Sequence, residues 1–152
     1  MTFTLREARR EDAPAIIALV RALAEFEHLP GPSADAIDRF VRHGFGVDRH
    51  FESLVAEMDG AIVAYTIHFT TYSTFRMRPT LFLEDIFVHP SVRRHGIGTA
   101  LMQRLRALAA ERGCGRFEWM VLDWNAGAQA LYTRLGAKQL DDWRLCRVDL
   151  AD

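Results

Sequence analysis

Apolar positions along the chain fall into alternating stretches and stretches of 3.6-residue period, and their order outlines a mixed fold. Thr2 to Ala8 alternates, with Phe3 and Leu5 on one side, which predicts a first strand. Glu11-Asp12-Ala13-Pro14 then supplies acidic residues and a proline for a first helical turn. Ile16, Ile17, Val20, Leu23 and Ala24 keep the helical period until Pro30-Gly31-Pro32 stops it. Ser33 is placed to cap a shorter second helix, with Ile37, Phe40 and Val41 inward and its end near Gly44. Phe51 to Met58 and Ala61 to Thr71 flank Asp59-Gly60, a pair suited to the positive φ angles of a tight hairpin turn, and Thr80 to Val88 predicts the next antiparallel strand.

Gly98, Met102, Leu105 and Ala109 recur at helical spacing, Leu101 and Leu108 widen the stripe, and Glu111-Arg112-Gly113 closes this third helix. Phe117 to Leu122 then predicts a strand that returns from the crossover helix to lie beside 80–88. Asn125 suits the cap of a fourth helix burying Ala128, Leu131 and Leu135, with Gly136 just past its end. Trp143 to Leu150 alternates again and predicts a last strand, with a short extra strand allowed near Lys138 to Leu140. The expected order is β-α-α-β-β-β-α-β-α-β, an α/β (α+β) fold with a mixed, mostly antiparallel sheet of about six or seven strands and about four helices. With no internal repeat or interdomain linker, residues 1–152 read as a single domain.

Composition narrows the function. A net charge of −1 argues against a general nucleic-acid binder. No apolar run approaches the roughly 20 residues that span a bilayer, and Arg6, Glu7, Arg9, Arg10, Glu11 and Asp12 break the pattern of a signal peptide, so a soluble cytoplasmic protein is expected. Cys114 and Cys146 lack metal-ligand spacing, and the 6 histidines supply no His-x-x-x-His pair, so neither a metal nor a disulfide is expected. Both thiols read as core or partly buried groups.

The chemistry concentrates where the strand Leu81-Phe82-Leu83-Glu84-Asp85-Ile86-Phe87-Val88 runs through His89-Pro90 into Arg93-Arg94-His95-Gly96-Ile97-Gly98-Thr99 and a helix. The first turn of a helix has unpaired N–H groups and partial positive charge. Glycines at 96 and 98 let a phosphate approach those groups, while Arg93, Arg94 and His95 add donors beside them. A P-loop is excluded because the one lysine is Lys138, and the dinucleotide fingerprint fails because Leu101 stands where a third small residue is needed.

The remaining pattern, Arg-x-x-Gly-x-Gly from Arg93 to Gly98, resembles the GNAT superfamily of acetyl-CoA-dependent N-acetyltransferases. Leu-Glu-Asp-Ile-Phe-Val at 83–88, Trp124-Asn125, Tyr132 and Trp143-Arg144-Leu145 are similar, in the same order, to its diamine (spermidine/spermine) acetyltransferase branch, over nearly the whole chain. The resemblance implies direct attack of an amine on acetyl-CoA without a covalent enzyme intermediate, and a homodimer. It implies that backbone groups of Ile86, Phe87 and Val88 bond the pantetheine and thioester where two strands splay. Arg94, His95, Gly96, Ile97, Gly98 and Thr99 would embrace the pyrophosphate, and Asn125 would touch the cofactor unless it only caps its helix.

Acetyl transfer needs a neutral amine and a proton for the departing thiolate. Glu84, whose counterpart in that branch faces the amine, is the candidate base, and Tyr132 the candidate acid. Asp85, adjacent in the strand and so facing the other way, reads as a fold-supporting hydrogen-bond partner. Phe26 and Glu27, at the end of the first helix, form either a wall for a cationic acceptor or a solvated helix end, and Asp142 is a further candidate for the cation. A polyamine or diamine is the leading acceptor. A thialysine-like amino acid or a protein amine is the alternative, as is a non-catalytic acyl-CoA sensor.

Overall fold

The computed structural model describes residues 2–151, which divide into two compact units, 2–120 and 121–151. The first unit holds strands β1 (Thr4–Glu7), β2 (Leu54–Met58), β3 (Ala61–Ser73), β4 (Arg78–Val88) and β5 (Arg116–Trp119), with helices α1 (Ala13–Phe26), α2 (Ala36–Phe45) and α3 (Ile97–Glu111). The second holds α4 (Ala126–Arg134). The sheet runs in the order β1-β2-β3-β4-β5, antiparallel except for the β4–β5 pair.

Most elements lie where the apolar pattern puts them. The hairpin turns at Asp59 and Gly60, both at positive φ (50° and 77°), and β5 returns parallel to β4 after α3. Arg6 spans the start of the fold, donating to both carboxylate oxygens of Asp12 at 2.7 and 3.0 Å and to Glu57 on β2 at 2.9 Å. Asp12 also accepts from the Arg9 backbone, so it fixes the turn into α1, and the Arg6 guanidinium holds its carboxyl below the usual range.

Two sequence expectations are corrected. The α2 helix does not begin on a Ser33 cap: its N-cap is Asp35, and it runs to Phe45, ending near Gly44 as expected. Gly44 is buried inside it because the Phe51 ring fills the space a side chain would need, 2.6 Å from a Cβ built there. The sheet has five strands among the described residues, not six or seven, and the final strand of the expected order is missing. Residues 138–140 and 143–150 form no ladder, and Trp143, Leu145, Val148 and Leu150 are 74%, 64%, 85% and 86% exposed. Alternation marks a segment fit for a sheet, but a strand also needs a partner edge, which the pattern does not name. Cys146, expected inside that strand, is exposed, while Cys114 is half-buried.

The register of β3 against β4 governs the site. Pairing proceeds from Ala64↔Val88 through Ile67↔Asp85 and resumes at His68↔Leu83, leaving Glu84 as one extra residue, a β-bulge. Cross-strand partners share a face. Tyr65 and Phe87, which are partners, pack with Ile16 and Leu19 of α1. On the bulge's other side, Leu83 pairs with His68, which lines a small cavity with Arg104 and Leu108 of α3 and with Arg112 just after it. The bulge therefore turns Asp85 to the α1 face while Leu83 keeps the α3 face.

Candidate active site

The α1 face of the bulge gathers acidic and aromatic groups. Tyr65, fully buried, donates its hydroxyl to Asp85 Oδ2 at 3.0 Å. Burial raises the Asp85 carboxyl to about 6 against that hydrogen bond, and the charges of Glu84 and Glu27 add to the rise. Glu27, the C-cap of α1, is half-buried, and desolvation raises its carboxyl as well. Beside it Phe26, 39% exposed, lies under the Arg93 guanidinium at 5.3 Å, and Phe87 lies at 5.5 Å from the same group. Glu84 itself is exposed on the bulge.

Asp85 thus has the supporting hydrogen bond expected from the sequence, with Tyr65, but it is also a poorly solvated acid among other acids. Tyr65 was not legible as its partner, since the contact spans 20 residues and depends on the register of two strands.

After Val88 the chain passes through one 3-10 turn, Pro90–Val92, to the start of α3. Arg94 and Gly96 are both left-handed, with φ of 68° and 79°. A Cβ added at Gly96 would meet nothing within 4 Å, so glycine here serves the backbone turn and leaves the approach open. The first helical bond runs from Ala100 N to Gly96 O at 3.0 Å, and the N–H groups of Ile97, Gly98 and Thr99 precede it. Arg94 and His95 are exposed beside this end, so the chain offers backbone donors, helix-end charge and a cation at one place, a fit for a pyrophosphate. Arg93 is used differently: its Nε donates to Val88 O at 3.1 Å and its plane covers the two rings.

The β4–β5 ladder ends at Leu83↔Trp119, while β4 continues to Val88. The backbone of Ile86, Phe87 and Val88 therefore lies beyond the β4–β5 pairing, where an extended ligand chain can meet it.

In the second unit, Asn125 caps α4, its Oδ1 accepting from Ala128 N at 3.2 Å, and Gly136 follows the helix at φ 87° as expected. Tyr132 is half-buried on α4, and Asp142 is exposed in the irregular segment after it.

The sequence model of the acetyltransferase (GNAT) family matches residues 9–137. The chain belongs to that family. It is an N-acetyltransferase, an acyltransferase acting on amines. A thialysine N-epsilon-acetyltransferase of Mus musculus is 38% identical over 91% of this chain and 85% of its own length. A spermidine/spermine N(1)-acetyltransferase-like protein 1 of Homo sapiens is 28% identical over 95% of this chain and 22% of its own length. Among solved structures, an aminoglycoside N-acetyltransferase in complex with CoA superposes with a TM-score of 0.79 at 21% identity, over 98% of this chain and 96% of that one. No helix among the described residues is long and apolar enough to cross a membrane.

Proposed function

We propose that this GNAT enzyme transfers the acetyl group of acetyl-CoA to a terminal primary amine of a small cationic acceptor, a diamine or polyamine. The observation that carries the reading is the acidic and aromatic cluster of Glu27, Asp85 and exposed Phe26 in the same unit as the open start of α3. Carboxylates pair with ammonium groups, and the methylene spacers between them pack on aromatic faces.

Acetyl-CoA supplies an electrophilic thioester carbonyl and a thiolate leaving group. Arg93 to Thr99 are assigned to its pyrophosphate side, with Arg94, His95 and the N–H groups of Gly96 to Thr99 as the donors and Arg93 shaping the adjoining wall. The backbone of Ile86 to Val88 is assigned to the pantetheine, and Asn125 to the cofactor as well as to its helix. Glu84 accepts a proton from the acceptor's ammonium, directly or through water, so that a neutral amine attacks. Phe26, Glu27 and Asp142 hold the rest of the acceptor. Tyr132 donates its hydroxyl proton to the departing thiolate, without bearing charge at rest. The chain acts as one catalytic domain, in the cytoplasm, as a homodimer, without nucleic-acid or membrane partners.

A second reading, a thialysine-like amino acid as acceptor, is favoured by the murine relative and by Arg93, a cation beside Phe26 and Phe87 that can meet an acceptor carboxylate. One experiment separates the two. Purified enzyme is incubated with acetyl-CoA and a panel of polyamines, diamines, thialysine, ornithine and peptides, and free thiol is followed. The highest kcat/KM should fall on a polyamine or diamine; a thialysine optimum makes the second reading correct, and thioester binding without thiol release on any amine rejects catalysis. On the best acceptor, Glu84→Gln should lose more rate at pH 7 than at high pH, and Tyr132→Phe should lose roughly 10²–10³-fold in turnover.

A further inference from the structure

Between α2 and β2 the chain folds back on itself. Gly46 stops the helix in an extended conformation, its N–H bonding Arg42 O at 3.0 Å. The chain then returns so that His50 N donates to His43 O at 2.7 Å and Arg49 Nε donates to Gly44 O at 3.1 Å. This reversal sets the His43 and His50 rings 4.2 Å apart at 57°, and it brings Asp48 Oδ2 to 3.4 Å from His50 Nε2. One donor atom from each of His43, Asp48 and His50 lies within 4.8 Å of the others.

We propose that His43, Asp48 and His50 bind a divalent transition-metal ion, with zinc as the representative. The proposal is separate from acetyl transfer, to which none of the three residues is assigned. Two imidazoles and one carboxylate are a donor set for zinc, copper or nickel, whereas calcium and magnesium want oxygen ligands in greater number. In a tetrahedral site with bonds of about 2.0–2.1 Å, neighbouring donors stand about 3.3 Å apart. The Asp48–His50 pair already has that spacing, and modest side-chain rotation brings in the third donor. Asp48 and His50 are exposed, so the ion has an entry path and solvent for its fourth position, while half-buried His43 anchors the site to the helix. A surface ion pair accounts for Asp48 and His50 alone; it does not account for a second imidazole held at the same point by backbone bonds. Arg39 and Arg42 raise the local potential against a cation, and as exposed charges they are screened by salt. A bound ion would tie the end of α2 to the segment entering β2, adding stability through ligand linkage.

The test is calorimetric titration of the untagged, EDTA-stripped enzyme with zinc chloride, paired with thermal unfolding with and without zinc. The wild-type protein should bind one equivalent and unfold at higher temperature with zinc than with EDTA. His43→Ala and His50→Ala should lose both responses, and Asp48→Asn should bind more weakly. His50→Ala replaces an exposed side chain, so it decides the matter even if His43→Ala does not fold. Absence of wild-type binding, or undiminished binding and thermal shift in His50→Ala, overturns the site.

Discussion

At the scale of single residues, Asp85 combines a structural contact with an energetic cost. Its carboxyl is raised from 3.8 to about 6, chiefly by burial. Between those values the folded chain keeps a proton that the unfolded chain has released, so this group's contribution to stability falls as pH rises through the window. Above pH 6 the whole loss stands, on the order of 3 kcal/mol for a shift of this size. Buried His68, pushed down to about 4, acts oppositely: the unfolded chain takes up a proton that the folded chain refuses, so its contribution grows as pH rises toward 6.5. Comparing Asp85→Asn with wild type removes the histidine from the difference. Asparagine can still accept the Tyr65 hydroxyl, so the variant should be more stable above pH 6, and the advantage should vanish near pH 4. Thermal unfolding across pH 4–8 checks this, and the same variant should raise KM for a cationic acceptor.

At the scale of elements, legibility followed the range of the forces involved. The Asp59-Gly60 turn, the Asn125 cap and the glycine after α4 were readable because each is fixed by a few neighbouring residues. The burial of Gly44 was not readable because its reason lies across the loop, in the Phe51 ring that also packs on Phe40 at 5.0 Å. Alanine there improves helix propensity by about 1 kcal/mol. It also overpacks the half-buried Phe51 ring, and overpacking costs typically about 1–3 kcal/mol. The clash should prevail, so Gly44→Ala should lower the denaturant midpoint with the m-value unchanged. The bulge at Glu84 and the meeting of His43 with His50 escaped the sequence in the same way: one depends on the register of a partner strand, the other on a chain reversal after Gly46. The phosphate-ready start of α3 was legible because glycine and arginine declare it locally, although the Arg93 contact with Phe26 brings together residues far apart in sequence.

At the scale of the whole molecule, the segment after α4 is the part that the apolar pattern and the structure describe differently. Trp143, Leu145, Val148 and Leu150 are exposed apolar side chains, the kind of residue from which interaction sites are built. Tyr72, Phe75 and Met77, where β3 turns into β4, are exposed as well. A second copy of the chain is the partner we assign to these surfaces. Light scattering at micromolar concentration should give a dimer mass for the wild type and a monomer mass for Trp143→Ser/Leu145→Ser; a wild-type monomer ends the assignment. The bulge has a consequence for the chain's very length. Removing a residue from the middle of a central strand ordinarily turns every later side chain to the wrong face. Glu84 is the surplus member of its ladder, so its deletion would join Ile67↔Asp85 directly to His68↔Leu83 and leave all other pairs as they are. A chain one residue shorter should therefore fold, with a melting temperature at or above that of the parent, and should fail to turn over any amine.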